Sequence, residues 1–257
     1  MHTIRPHRLA LVREGDRFIA SYPRSGNTWV RYLVQAAAVF EHEGRHADVR
    51  TNALIPDIHV EQHELGMPDA RKYLGEANII KSHNIDQLAP FRTIYLFRTP
   101  ADVLTSHYFH HLRFEDHRSR VAEQGIDAFC LAHIDDWIAH IATVVEQERA
   151  PGADLLLVPY ERLHESPEPT LRKILDFLGV EVHDESVRAS VEKNQFDRLQ
   201  RTEKKRLERN PRPQPFFRKG IVGDSANHLA PETLRELERR SGIVYEQAFA
   251  KAILSLL

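Results

Sequence analysis

The sequence predicts one α/β domain over residues 1–257, with a central parallel sheet and helices on both of its faces. Three observations carry this reading. Four short apolar runs lie well apart in the chain, helical patterns fill the stretches between them, and the composition suits a packed interior. The 257 residues are 42% hydrophobic and 28% charged, with 11 Gly and 14 Pro. Disorder, collagen and small disulfide scaffolds are excluded by those proportions. A chain of this length buries roughly 70–75% of the surface its unfolded form exposes, enough for a core without metal or disulfide staples.

The apolar run Arg17-Phe18-Ile19-Ala20-Ser21-Tyr22 predicts the first strand. It ends in Pro23-Arg24-Ser25-Gly26-Asn27, and apolar residues at near-helical spacing from Thr28 to Phe40 follow, which gives strand, tight loop, helix. Asn78 to Lys81, Thr93 to Phe97 and Leu155 to Val158 predict three further strands. Each is continuously apolar rather than alternating, as in a parallel sheet covered on both sides. Between and after them lie helical patterns over Pro100–Phe114, Ile126–Glu148 and Glu168–Leu178, the last closed by Gly179. His42 to Glu76 contains Pro56, Pro68 and several polar breaks, so it reads as irregular and substrate-facing.

Lys and Arg number 35 against 37 Asp and Glu, a net charge of −2. No global field draws the chain onto nucleic acid or an anionic membrane, so any anion site is local. Cys130 is the single cysteine and cannot form an internal disulfide. Leu9 to Val12 is too short for a signal segment, and no stretch reaches the ~18–20 apolar residues of a spanning helix. A soluble, cytoplasmic protein without a transmembrane segment is the expectation.

One stretch departs from this balance. Arg198 to Lys219 holds nine Lys or Arg against Glu203 and Glu208, a local charge of +7, and Gly220 follows. Pro211, Pro213 and Pro215 keep its second half from being helical. It reads either as a solvated helix and loop or as a mobile basic lid, residues 198–220, over an anionic ligand.

The loop Tyr22-Pro23-Arg24-Ser25-Gly26-Asn27-Thr28-Trp29 sets backbone N–H groups and hydroxyls at a helix N-terminus, a geometry that suits a phosphate. Ser, Asn and Thr are also ordinary helix caps. The pattern G-x-x-x-x-G-K-[ST] is absent, which disfavours a magnesium-dependent NTPase. Three further stretches follow in order: Lys81-Ser82-His83 after the second strand, Arg98-Thr99-Pro100-Ala101-Asp102 through Ser106 after the third, and Arg218-Lys219-Gly220 through Gly223-Asp224-Ser225-Ala226-Asn227-His228.

Together, from about Phe18 to His228, these segments resemble the sulfotransferases that use 3′-phosphoadenosine 5′-phosphosulfate (PAPS). That resemblance implies a P-loop-like three-layer fold and transfer of a sulfuryl group from PAPS to an acceptor, leaving PAP, with no metal required. By resemblance, Arg24, Ser25, Gly26, Asn27, Thr28 and Trp29 cradle the 5′-phosphosulfate, with Trp29 against the adenine. Arg98 and Ser106 hold the 3′-phosphate, and Arg218, Lys219 and Gly220 complete that site from the lid. The +7 of the basic segment is then accounted for by the nucleotide. Arg98 can also simply pair with Asp102 at the surface. Tyr160 and Phe196 match positions around the adenine, and either aromatic can equally be core.

Sulfuryl transfer needs a base and a stabiliser of growing negative charge. His83 is the candidate base, because a neutral imidazole takes a proton near pH 7. Lys81 and Arg24 are the candidate stabilisers. Arg24 stands where many family members have Lys; it keeps the charge but is a poorer proton donor, so acid catalysis and charge stabilisation stay open. Ser225-Ala226 replaces the family's usual Trp-Lys, which suggests a divergent, bacterial-type member with a different acceptor. His107, His111 and Glu115 have i, i+4, i+8 spacing with His110 beside them, which invites a metal; packing and helix polarity are the reading preferred. The rivals are a nucleotide kinase on the same fold and a non-catalytic PAP-binding protein. The acceptor, whether small molecule, glycan or lipid, is not legible, and neither is the oligomeric state.

Overall fold

A computed structural model describes residues 3–46, 51–65, 68–211 and 215–256. Its sheet consists of β1 (Arg17–Ser21), β2 (Ile79–Ser82), β3 (Thr93–Phe97) and β4 (Leu155–Pro159), in the order β2-β1-β3-β4. All three pairings are parallel, with Ile19 opposite Lys81 and Ile94, and Ile94 opposite Leu156. The strands fall within a residue of their expected places, because each is apolar on both faces and so announces itself as a run.

The helices are α1 (Pro6–Leu9), α2 (Asn27–Glu43), α3 (Thr51–Leu54), α4 (Pro68–Leu74), α5 (Pro100–His111), α6 (Glu115–Gln124), α7 (Ile126–Glu148), α8 (Tyr160–Glu165), α9 (Pro167–Leu178), α10 (Asp184–Lys193), α11 (Phe196–Arg209) and α12 (Pro231–Leu256). Two cores sandwich the sheet. On one face Phe18, Ala20, Tyr95, Phe97 and Leu157 meet Val103, Ile134, Trp137, Ile141 and Leu237 from α5, α7 and α12. On the other, Ile19, Ile94, Leu96 and Val158 meet Leu33, Val34, Leu171 and Ile174 from α2 and α9. Successive strand residues point to opposite cores, which gives the continuous apolar pattern its physical cause.

Three expectations are revised. The helix expected over Pro100–Phe114 stops at His111, and α6 restarts at Glu115 after the extended Phe114, so Glu115 does not continue the histidine stripe. The segment from His42 to Glu76 is only partly irregular: it carries α3 and α4, and Asp57 forms a parallel bridge to Lys81 at the outer edge of β2. Residues 47–50 and 66–67 of that segment lie outside the described residues. Helix α7 is, by length and composition, apolar enough to cross a bilayer, contrary to expectation. Here it packs against α5 and α12 with Phe129, Ile134, Trp137, Ile141 and Val144 buried. Cys130 is buried in the same core, and burial pushes its thiol up to about 12, so it stays protonated and unreactive.

Candidate active site

The site lies at the C-terminal ends of β1, β2 and β3, the crevice that an open parallel sheet leaves for ligands. After β1 the chain turns through Arg24 at φ 72° and Gly26 at φ 100°, both left-handed. Gly26 is required twice over: its φ suits glycine, and a Cβ there would lie 2.7 Å from Tyr160 Cδ2. As the α2 N-cap it offers no side-chain acceptor, so the first amides of the helix remain for an anion. Asn27 turns its side chain inward, donating to the Ile19 carbonyl (3.1 Å) and to Ser21 Oγ (3.3 Å), so only its backbone serves the loop. Ser25 is fully buried beneath the turn, and its hydroxyl has no hydrogen-bond partner.

A cavity of about 510 Å³ opens above this turn. Every residue implied by the resemblance lines it except Ser25. Trp29 donates its indole N–H to the Asn194 carbonyl (3.0 Å) and packs on Tyr160 with ring centroids 5.7 Å apart. Phe196, at the start of α11, closes the same wall; a Cβ on Gly220 would lie 2.2 Å from its ring, and Gly220 has φ 65°. Tyr160 and Phe196, left open between core and site, both border the cavity.

Arg98 donates to Asp102 Oδ2 at 2.8 Å and to the Ile221 carbonyl at 2.7 Å, with its guanidinium 4.4 Å from the Tyr160 ring centroid. The pair with Asp102 therefore exists, but it is buried rather than superficial: the Asp102 side chain is 0% exposed. Burial opposes ionisation of Asp102, and Arg98 with the Ser225 and Gly223 amides overrides it, leaving the carboxyl below its usual range. Arg24 donates Nε–H to Ser106 Oγ (3.2 Å) and Nη2–H to the Phe216 carbonyl (3.1 Å), and sits 4.4 Å from the Phe216 ring centroid. Burial, then Arg113, Arg98 and Arg218, lower its guanidinium to about 10.

The basic segment divides in two. Helix α11 runs back over the cavity and Glu203, buried on its inner side, accepts the Phe216 and Phe217 amides at 2.7 Å each. Gln200 donates to the Phe217 (3.1 Å) and Arg218 (2.6 Å) carbonyls. Arg218 and Lys219 turn toward the cavity and share Asp224, with Lys219 Nζ at 2.8 Å from Oδ1; together with Asn227 they override burial and pull that carboxyl far below its usual range. Arg198, Arg201, Lys204, Lys205, Arg206 and Arg209 instead lie exposed along α11. The nucleotide therefore does not account for the +7, because most of those cations face solvent; Arg212, Pro213 and Gln214 lie outside the described residues.

At the end of β2, His83 Nδ1 lies 2.9 Å from the Ser21 carbonyl, which fixes the proton there and leaves the lone pair on Nε2. Burial, then Lys81, hold its pKa well below the ordinary imidazole value. Lys81 donates Nζ–H to Asp57 Oδ2 at 2.7 Å, and the His83 amide donates to His59 Nε2 at 3.1 Å. His140 braces the same turn, donating Nε2–H to the His83 carbonyl (3.1 Å) while its Nδ1 faces Tyr95 Oη at 2.7 Å.

Asp57 is not among the residues singled out by sequence, and His59, Glu203 and Asp224 carry no role there: His59 stands only as a histidine four before His63, Glu203 as a charge in the basic run and Asp224 as one member of the stretch that ends at His228. For Asp57 the available signal is a carboxylate set inside the apolar run Ile55-Pro56-Asp57-Ile58. His110 also borders the cavity, and burial with Arg24 lowers it to about 3. His107 and His111 face each other through Nε2 atoms 3.0 Å apart. Among the described residues no group of three or more His, Cys, Asp or Glu is arranged to hold a metal.

The sulfotransferase domain model matches residues 14–250. Cytosolic sulfotransferase 7 of Arabidopsis thaliana is 26% identical over 266 residues, covering 92% of this chain and 79% of that protein. Sulfotransferase 1E1 of Mus musculus is 26% identical over 246 residues, covering 88% and 81%. Among solved structures, mouse sulfotransferase SULT7A1 complexed with PAP superposes with TM-score 0.59 at 22% identity, covering 92% of this chain and 89% of that one. Retinol dehydratase in a complex with retinol and PAP gives 0.63 at 19% identity, covering 89% and 80%. With the domain model spanning nearly its full length and a parallel-sheet fold shared with these structures, the chain belongs to the sulfotransferase domain family.

Proposed function

We propose that this sulfotransferase binds PAPS in the cavity and moves its sulfuryl group to a hydroxyl or amine of a small acceptor, with His83 as general base. The observation that carries this is the gathering of cations at the cavity: Arg24 is buried with Arg113, Arg98 and Arg218 around it, its N–H groups go to a hydroxyl and a carbonyl, and Glu203 is the carboxylate acting on it from α11. Cations gathered this closely mark a place for an anion. The fit extends to the loop, whose glycine-dependent turn leaves helix amides exposed to an incoming phosphate.

In this reading Trp29, Tyr160 and Phe196 form the adenine wall, while Arg98, Ser106, Arg218, Lys219 and the Gly220 amide receive the 3′-phosphate. His83 Nε2 takes the acceptor's proton as the acceptor oxygen or nitrogen bonds to sulfur and the bond from sulfur to the bridging oxygen breaks. Lys81 and Arg24 stabilise the negative charge that grows on the leaving phosphate. At about 10 the Arg24 guanidinium is still charged at pH 7, so in this reading it faces the leaving phosphate as a cation. No step needs a metal. Three of the relatives matched are named cytosolic sulfotransferases, and with the single buried Cys130 this supports a cytoplasmic, reducing setting. The kinase reading lacks its Walker lysine, and the family match runs against it.

Two outcomes test the donor site. PAP at 100 times its dissociation constant should add ~2.7 kcal/mol of stability, seen as a rise in melting temperature, and ATP with magnesium should add far less. We further propose that residues 198–220 act as a lid, so trypsin should cut this stretch readily in the free protein and slowly with saturating PAP. Glu203→Ala removes the acceptor of the Phe216 and Phe217 amides and should speed that cleavage without nucleotide. Cleavage unchanged by PAP would leave the basic run a solvated surface.

A further inference from the structure

The segment Pro56–His59 was expected to be an irregular stretch facing substrate, yet it is tied to β2 at every level. The Lys81 amide donates to the Pro56 carbonyl (2.8 Å) and the Ile58 amide to the Lys81 carbonyl (3.0 Å), so it extends the sheet edge. From that extension Asp57 Oδ2 reaches Lys81 Nζ at 2.7 Å, and its Oδ1 accepts the His59 amide at 3.0 Å. The His59 ring then lies nearly parallel to that of His83, 14° between planes, and its Nε2 accepts the His83 amide. The Asp57 amide in turn donates to His63 Nδ1 at 3.1 Å. Two residues two apart thus hold the two residues of Lys81-Ser82-His83 to which chemistry is assigned.

We infer that Asp57 and His59 are positioning residues for sulfuryl transfer, Asp57 holding the Lys81 ammonium in place and His59 holding the turn that brings His83 to the cavity. This inference rests on the reading of Lys81 and His83 given above. Asp57 borders the cavity and His59 does not, and the role argued for both runs through Lys81 and His83. Geometry supplies the argument. Burial works against the charge of a lysine and an adjacent anion favours it, and Asp57 is the carboxylate at Nζ. The Lys81 ammonium is lowered first by burial and raised again by Asp57, while Arg31 on α2 pushes the other way. His59 Nε2 must carry a lone pair to accept the His83 amide, so His59 acts as a neutral acceptor in this arrangement.

Asp57→Asn keeps the shape and removes the charge. Arg31, Arg8 and His63 also face this carboxylate or its neighbours, and none of them supplies a negative charge in its place. Asp57 raises both Lys81 and His83, so its loss lowers both pKa values. The pH profile of kcat should therefore move bodily to lower pH, with its maximum reduced roughly tenfold or more and PAP affinity within about threefold of the parent. For His59, replacement by Gln restores an acceptor for the His83 amide whereas replacement by Leu does not. Gln should recover most of kcat that Leu loses, while KM for PAPS stays unchanged in both.

The measurement uses the full chain with radiolabelled PAPS, following transfer to p-nitrophenol and, without phenol, the slow release of sulfate to water. His83→Ala is run beside the three variants. Loss of both reactions in His83→Ala together with an unchanged pH profile and kcat in Asp57→Asn, and equal rates for Gln and Leu at position 59, would overturn the inference while leaving the reading intact. Full activity of His83→Ala would overturn the reading itself. If Asp57→Asn fails to fold, the Gln and Leu pair at position 59 decides alone.

Discussion

Replacing His83 by Ala is expected to lower turnover by roughly 10²–10⁴, the usual worth of a positioned base, while leaving PAP affinity within a few-fold. Its Nδ1 is committed to the Ser21 carbonyl, its amide to His59 and its carbonyl to His140, so the ring is held in one orientation and one tautomer. Removing it takes away the proposed proton acceptor and leaves Arg24 and Arg98, which follow β1 and β3, in place. Burial and Lys81 keep the imidazole neutral well below its ordinary pKa, so activity should persist to a lower pH than a free histidine base would allow. A more acidic phenol as acceptor should shrink the loss, because its proton needs less help. Single-turnover transfer from labelled PAPS checks both statements, and normal turnover of the variant removes His83 from the mechanism.

Arg98→Ala is expected to erase the preference for a 3′-phosphate, weakening PAP by roughly 10–100-fold, as 1.5–3 kcal/mol for a charge-assisted hydrogen bond implies. Adenosine 5′-phosphosulfate, which lacks that phosphate, should lose little. The buried partner adds a second effect. Asp102 is fully enclosed, and without Arg98 it keeps only the Ser225 and Gly223 amides, a situation that costs on the order of 3–5 kcal/mol. Arg98→Ala should therefore also melt markedly lower, and adding Asp102→Asn should restore much of the melting temperature without restoring the 3′-phosphate preference. Calorimetric titration of both nucleotides onto single and double variants separates the two effects. Equal losses for PAP and adenosine 5′-phosphosulfate would sink the assignment of Arg98.

The sheet was legible because its strands are buried on both sides, so β3 and β4 read as unbroken apolar runs that need no partner to be recognised. The loop from Tyr22 to Trp29 was legible for a different reason: glycine and a helix start are local requirements, written in consecutive residues. What escaped notice depends on distant contacts. Asp57 and Glu203 are ordinary surface carboxylates by type, and only the folded chain shows one against Lys81 and the other beneath Phe216. The break after His111 is not legible in the sequence because Leu112, Arg113 and Phe114 still fit a helical pattern, while the backbone at Phe114 is extended. In the sequence the basic run shows where a helix must end but not which way its cations face. Once coiled as α11, most of its cations turn outward, while Arg218 and Lys219 beyond it border the cavity, Lys219 with much of its side chain still exposed.

The strand order also determines which parts of the protein are free to vary. β1 and β3 occupy interior positions, paired on both sides, and they launch the loop and the arginine that the donor nucleotide would use. Insertions there would shift two registers at once. β2 lies at the rim, capped only by the short Asp57 bridge, and the chain between α2 and β2 loops outward before returning to it. Lengthening or trimming that excursion leaves every interior pairing untouched. The architecture thus sets two interior strands, where a change of length is felt on both sides, against an outer arm that can change length at the rim as long as Asp57 and His59 still reach Lys81 and His83.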